Sequence, residues 1–165
     1  KTRSSKEIAN MFDLKYKDIT KGFKIFSKLI KIKKMIYDDK TSKAEDFVAR
    51  HSKSLHITNE YIDQIINIAR NIQKLNIVSD HTPFSIASGS ILLIVELNKL
   101  QIDRKHIADE FNESEVTIMK TYKKIEQYKD IIENDELTDK LVEKLEEEKK
   151  KLKIPEKVKN IYNAD

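Results

Sequence analysis

Residues 6–28, KEIANMFDLKYKDITKGFKIFSK, align without a gap on residues 105–127, KHIADEFNESEVTIMKTYKKIEQ, at an offset of 99. Identities fall at Lys6/Lys105, Ile8/Ile107, Ala9/Ala108, Phe12/Phe111, Ile19/Ile118, Lys21/Lys120 and Lys24/Lys123, and Phe23/Tyr122 is aromatic in both. The apolar matches specify one interhelical packing twice, and the lysines repeat the same exposed charge. A duplication at this period predicts two related helical domains in tandem.

The second copy is the clearer of the two. Over 103–128 the pattern predicts a short helix, a three-residue break (Asn112–Ser114) and a second helix. Asp103 and Ser114 are placed to cap the two helices, because their side-chain oxygens can accept from the free N–H groups at a helix start. Ile107, Ala108 and Phe111 face inward on the first helix, and Ile118, Tyr122 and Ile125 on the second, at helical spacing. Val116, Thr117, Lys120, Lys123 and Lys124 are left on surfaces able to meet a partner. Two short helices across a tight turn, the second one basic, form the pattern of a DNA-reading helix-turn-helix.

Only two glycines and two prolines punctuate the 165 residues, which leaves little for hairpins and predicts an all-α protein. Cysteine is absent, excluding disulfides and thiolate metal sites. The longest apolar run, Ile91–Val95, is far shorter than the roughly 20 residues a membrane helix needs. No signal-peptide pattern is present in these residues, and no membrane association is expected. The chain opens at Lys1 inside a helical pattern, so further residues are expected upstream.

The net charge of +4 is unevenly spread. Residues 1–60 carry fifteen Lys and Arg against eight Asp and Glu, whereas 61–130 and 131–165 are slightly acidic. A basic first third suits a phosphate backbone or an acidic protein surface. The alternative is a solvated lysine-rich surface from an A/T-rich genome.

Along the chain, Ser4 and Glu7 predict a capping box. From Tyr16 to Lys33 a helix should carry Ile19, Phe23, Phe26 and Ile30 on one stripe, and Lys17, Lys21, Lys24, Lys28 and Lys31 on another. Like charges at this spacing repel, and an anionic partner would relieve them. Met35–Lys40 reads as a linker. Ser42 and Glu45 predict a second capping box, opening a helix through Phe47 and Val48. Thr58 starts an amphipathic helix burying Tyr61, Ile62, Ile65, Ile66, Ala69, Ile72 and Leu75. Val78–His81 is a loop. Thr82 and Pro83 then launch FSIASGSILLIVEL, apolar almost all round and hence the central helix, with Ala87, Ser88 and Gly89 small enough for close approach. Past Asp130, Leu137, Leu141, Leu145 and Leu152 form a narrow stripe on a charged helix stopped by Pro155, expected to be mostly solvated and to dock weakly.

No catalytic chemistry assembles from this inventory. His51, His56, His81 and His106 lack paired ligand spacing, Gly22 and Gly89 cannot build a phosphate loop, and Glu146–Glu148 reads as solubilising charge. No nucleophile, base and orienter fall together. The chain is expected to be no enzyme and to take no small-molecule substrate.

TPFSIASGSILLI followed by RKHIADEFNESEVTIMKTYKKI, with SKEIANMF and KDITKGFKIFSKLI before them, resembles the core domain of transcription factor IIB. The likeness covers about Thr2 to Lys129. It implies cyclin-like five-helix repeats: residues 1–35 the last two helices of repeat one, 36–40 a linker, 41–130 a complete repeat two with its helix-turn-helix at 103–128, and 131–165 a polar helical extension. A zinc ribbon would lie upstream, and no cofactor is implied for this stretch. The resemblance implies base contact at Val116 and Met119, and the exposed Thr117, Lys120, Lys123, Lys124 and Lys105 are the further candidates for DNA contact. It implies contact with the TATA-box-binding protein or the DNA backbone through Lys17, Lys21, Lys24 and Lys28.

One departure stands out. The family usually has arginine where this chain has Met119. Arginine donates two hydrogen bonds to guanine, whereas methionine offers apolar contact, for instance to a thymine methyl, so altered base preference is expected. The resemblance thus implies a general transcription initiation factor that binds the TATA-box-binding protein and promoter DNA and helps recruit RNA polymerase. It would act in the nucleus, or in a cytoplasmic viral factory or virion if the source is a large DNA virus. A cyclin-type regulator of a protein kinase and the RNA polymerase III version of the factor are the alternatives.

Overall fold

The structure is a computed structural model that describes residues 3–32 and 42–151. Among them all regular structure is helical: α1 (Ser5–Met11), α2 (Tyr16–Ile32), α3 (Ala44–Ser54), α4 (Asn59–Leu75), α5 (Pro83–Leu97), α6 (Arg104–Phe111), α7 (Glu115–Glu126), α8 (Lys129–Ile132) and α9 (Asp135–Lys151). The expected linker, Leu152 and Pro155 lie outside the described residues.

Helix α5 is the hub. Thr82 Oγ1 accepts from Ser85 N–H at its start, Pro83 occupies the first turn, and every residue from Phe84 to Val95 is buried. A helix apolar on all sides is stable only when neighbours cover all of it. Here α3, α4, α6 and α7 all pack against it. Ser90 is satisfied within the helix, its Oγ donating to Ile86 O at 2.8 Å. Phe47, Ile65, Ile72, Ile107, Phe111, Ile118 and Ile125 close the core from the surrounding helices. This is the all-α, cyclin-like arrangement expected from the sequence.

Two details differ from expectation. Helix α3 starts with Lys43, not Ser42, at the cap, where Lys43 N–H donates to the Asp46 carboxylate at 3.4 Å. The next free amide, Ala44 N–H, donates to Gln73 Oε1 of α4 at 2.9 Å, so a neighbouring helix sets the start. The extension is mostly solvated as expected, yet it is anchored. Asn71 of α4 is 1 % exposed, and its Nδ2 donates to Ile132 O at 2.9 Å and Asp135 Oδ1 at 2.7 Å. Ile132 and Thr138 are fully buried beside it, and Lys74 pairs with Asp139 at 2.7 Å.

The hairpin α1–α2 stands apart from this core. Helix α2 packs chiefly on α1, and Phe23 is 65 % and Leu29 49 % exposed.

Candidate nucleic-acid interface

The duplication is visible in the backbone. After α6, Asn112 takes a left-handed conformation (φ 47°) and Glu113 N–H donates to Ala108 O at 3.0 Å. After α1, Asp13 does the same (φ 50°) and Leu14 N–H donates to Ala9 O at 2.8 Å. Both pairs are separated by the same offset of 99. Asn and Asp tolerate this region better than other L residues because their short polar side chains bond locally, so neither turn needs glycine.

Three sets of contacts hold the second helix-turn-helix rigid. Asp103 Oδ1 accepts from His106 N–H at 2.7 Å, and Ser114 Oγ from Thr117 N–H at 3.1 Å, as the sequence predicts. The turn is pinned to the hub, since Glu113 accepts from Ser85 Oγ at 3.0 Å and Ser88 Oγ at 3.1 Å. Helix α7 lies close on α5, where a Cβ on Gly89 would sit 2.7 Å from Thr121 Cγ2. The Thr121 hydroxyl donates to Thr117 O at 3.2 Å and therefore accepts from His81 Nδ1–H at 2.9 Å. Burial holds His81 below the ordinary histidine range, and Nδ1 carries the hydrogen this bond needs in either charge state.

The outward face of α7 is open. Val116 is 78 % exposed and, with Met119, floors a shallow depression rimmed by Arg104, Glu115, Lys120 and Lys123. Around this apolar patch three cations outnumber the one carboxylate, Glu115, a balance that suits a base edge flanked by phosphates.

The structure distributes the sequence-predicted residues unevenly. Val116, Met119, Lys120 and Lys123 come together in the depression. Thr117 is exposed, but its hydroxyl sits 2.8 Å from Ser114 Oγ, within the cap. Lys124 is half-buried, and its Nζ donates to both Asp80 carboxylate oxygens at 3.0 and 2.9 Å. That contact pulls Asp80 below its usual range. Lys105 is exposed on α6, outside the depression's lining. Lys17, Lys21, Lys24 and Lys28 are all exposed along α2. Spacing along one helix did not reveal Arg104, which reaches the depression from α6 while its guanidinium donates to Glu96 Oε1 at 2.8 and 3.1 Å. Among the described residues no cluster of His, Asp and Glu could hold a metal ion, and no helix is long and apolar enough to cross a membrane.

No protein-family model matches the chain. A protein of Acanthamoeba polyphaga mimivirus, provisionally named as transcription initiation factor IIB-like, is 39% identical over 147 residues, covering 87% of this chain and 32% of its own length. Transcription initiation factor IIB of Dictyostelium discoideum is 28% identical over 122 residues, covering 74% of this chain and 37% of its own. Transcription initiation factor IIB 1 of Thermoplasma volcanium is 26% identical over 123 residues, covering 74% and 38%. The chain thus spans about a third of the length of the curated relatives it matches.

Proposed function

The chain belongs to the transcription initiation factor IIB family over the stretch it shares with these relatives, and from that premise we propose that it bridges promoter DNA, a TATA-box-binding protein and an RNA polymerase. The observation that carries this reading is the open floor of Val116 and Met119 with its rim of Arg104, Lys120 and Lys123, on a helix-turn-helix braced by α5. Helix α7 would enter the major groove. Arg104, Lys120 and Lys123 would meet phosphates, while Val116 and Met119 would meet base edges without a strong donor, favouring thymine methyls over guanine. The lysine stripe on α2 would add contacts to the backbone or to the TATA-box-binding protein. Release of counterions from these sites would supply much of the affinity.

The reading involves no reaction catalysed by this stretch, and places it in the nucleus or in a viral factory. Its relatives' names support a role in transcription initiation; the partners are part of the proposal.

The test is a fluorescence-anisotropy titration of TATA-box duplexes, with and without the cognate TATA-box-binding protein, over a range of salt. Binding should require that protein, weaken as salt rises and fall at least tenfold when Lys17, Lys24 and Lys28 are changed to Glu. Duplexes with A/T-rich flanks should compete at least as well as G/C-rich ones. A folded chain that binds none of them would instead fit a cyclin-like protein adaptor.

A further inference from the structure

Where α1 meets the five-helix unit, four side chains form one hydrogen-bonded line across three helices. Arg50 Nη2 of α3 lies 2.6 Å from Glu7 Oε1 of α1 and 3.0 Å from His51 Nε2. His51 Nδ1 lies 2.7 Å from Glu110 Oε1 of α6. The roles follow from what each group can do. A guanidinium only donates, so Nε2 must accept, and the ring hydrogen must sit on Nδ1 and point at Glu110. Arg50 Nη2 has two hydrogens and gives one to Glu7 and one to His51.

His51 is only 6 % exposed. The Phe111 ring of α6 lies 4.2 Å from it and the Phe84 ring of α5 5.5 Å, centroid to centroid. The charged groups facing the imidazole are Glu7 from α1, Arg50 from its own helix and Glu110 from α6. Glu7 also holds Arg3 at 3.2 Å and, through its second oxygen, the Ser4 N–H at 2.7 Å, so it ties the start of α1 to this line. The lysine-bearing helix α2 follows from α1 through the turn at Asp13.

We propose that Glu7, Arg50, His51 and Glu110 form a clasp that holds the α1–α2 hairpin on the five-helix unit, and that protonation of His51 releases it. A second proton on the ring belongs on Nε2, where it faces an Arg50 N–H at hydrogen-bond distance. Donor then meets donor and cation meets cation. Glu110 is bonded to the ring in either state, so no new hydrogen bond forms on that side to compensate. Arg50 must turn away, and Glu7 loses its hold on α3. Burial and the neighbouring Arg50 keep His51 below the ordinary histidine range while Glu110 opposes them, so the clasp is closed at neutral pH. The sign follows. With the folded-state value depressed, the contribution is complete above the unfolded-state value of about 6.5 and is lost as pH falls below it.

The experiment is amide hydrogen exchange of the full chain between pH 7.5 and 5, expressed as protection relative to intrinsic exchange rates. Protection of Ile8 to Met11 should fall several-fold on acidification, because protonation of His51 favours the opened clasp, while that of the α5 amides stays level. In His51→Gln the amide can still donate to Glu110 and accept from Arg50 but cannot titrate, so the response of α1 should flatten. Glu110→Gln keeps the acceptor and removes the charge, moving the response to lower pH. Nitrogen chemical shifts of the His51 ring should report the Nδ1–H tautomer at pH 7.5. The proposal is overturned by an Nε2–H tautomer, by α1 protection that is flat in the unmodified chain, or by parallel losses in α1 and α5.

Discussion

At the scale of single residues, the contact between Gly89 and Thr121 sets how closely α5 and α7 approach. A methyl on Gly89 would lie 2.7 Å from Thr121 Cγ2 and 3.0 Å from its Cβ, closer than carbon atoms tolerate. Thr121 cannot swing away without losing its bonds to His81 and the Thr117 carbonyl. Gly89→Ala should therefore lower stability by about 1–2 kcal/mol, an overpacking cost of about 1–3 kcal/mol reduced by the better helix propensity of alanine. Adding Thr121→Ser removes the clashing methyl, keeps the hydroxyl and should restore most of the loss. Urea unfolding of both variants checks this, and a Gly89→Ala protein as stable as the parent contradicts it. Gly22 holds the place of Thr121 in the first copy, and a methyl added there would meet no atom within 4 Å.

Among the elements, the extension α8–α9 shows what a buried polar side chain can hold. Asn71 links the end of α8 and the start of α9 to α4 by two donated hydrogen bonds. Asn71→Ala would leave a buried carbonyl and a carboxylate without their donor, a cost of about 1–3 kcal/mol. The cost falls on the docking of the extension, since the core about α5 does not use this residue. Limited trypsin digestion should then cut at Lys140 and Lys144 several-fold faster while α5 stays intact; an unchanged rate at those sites would remove Asn71 from the role of anchor.

The elements also show how far sequence reasoning reaches. Caps at Asp103, Ser114 and Thr82 were legible because side chain and backbone partners lie three residues apart. The all-round apolarity of α5 marked it as the hub for the same local reason. Asn71, read along α4, is only a polar residue among isoleucines, and its partners lie 61 and 64 positions away. Arg50 and Glu7, His51 and Glu110, and Lys124 and Asp80 are likewise separated by 43, 59 and 44 positions. Nothing in helical periodicity pairs them, so the clasp was invisible and Lys124 looked as available as Lys120. The left-handed residues Asp13, His56, Asn76, Lys99 and Asn112 were partly hidden too, since neither glycine takes a positive φ.

For the whole molecule, α2 has consequences for handling the protein in solution. One stripe is cationic, and the other leaves Phe23 65 % and Phe26 49 % exposed. Added salt has opposite effects on these two faces. It screens lysine–phosphate attraction, and it also screens the lysine–lysine repulsion that keeps two copies from meeting through their aromatic faces. As salt rises, nucleic-acid binding should fall while light scattering from the chain alone grows with concentration. Phe23→Glu should suppress the scattering and leave the slope of binding against salt nearly unchanged; scattering that declines with salt would show that charge, not the apolar face, drives self-association. A titration that reads weakened binding at high salt as counterion release alone would therefore count colloidal loss of protein as electrostatics.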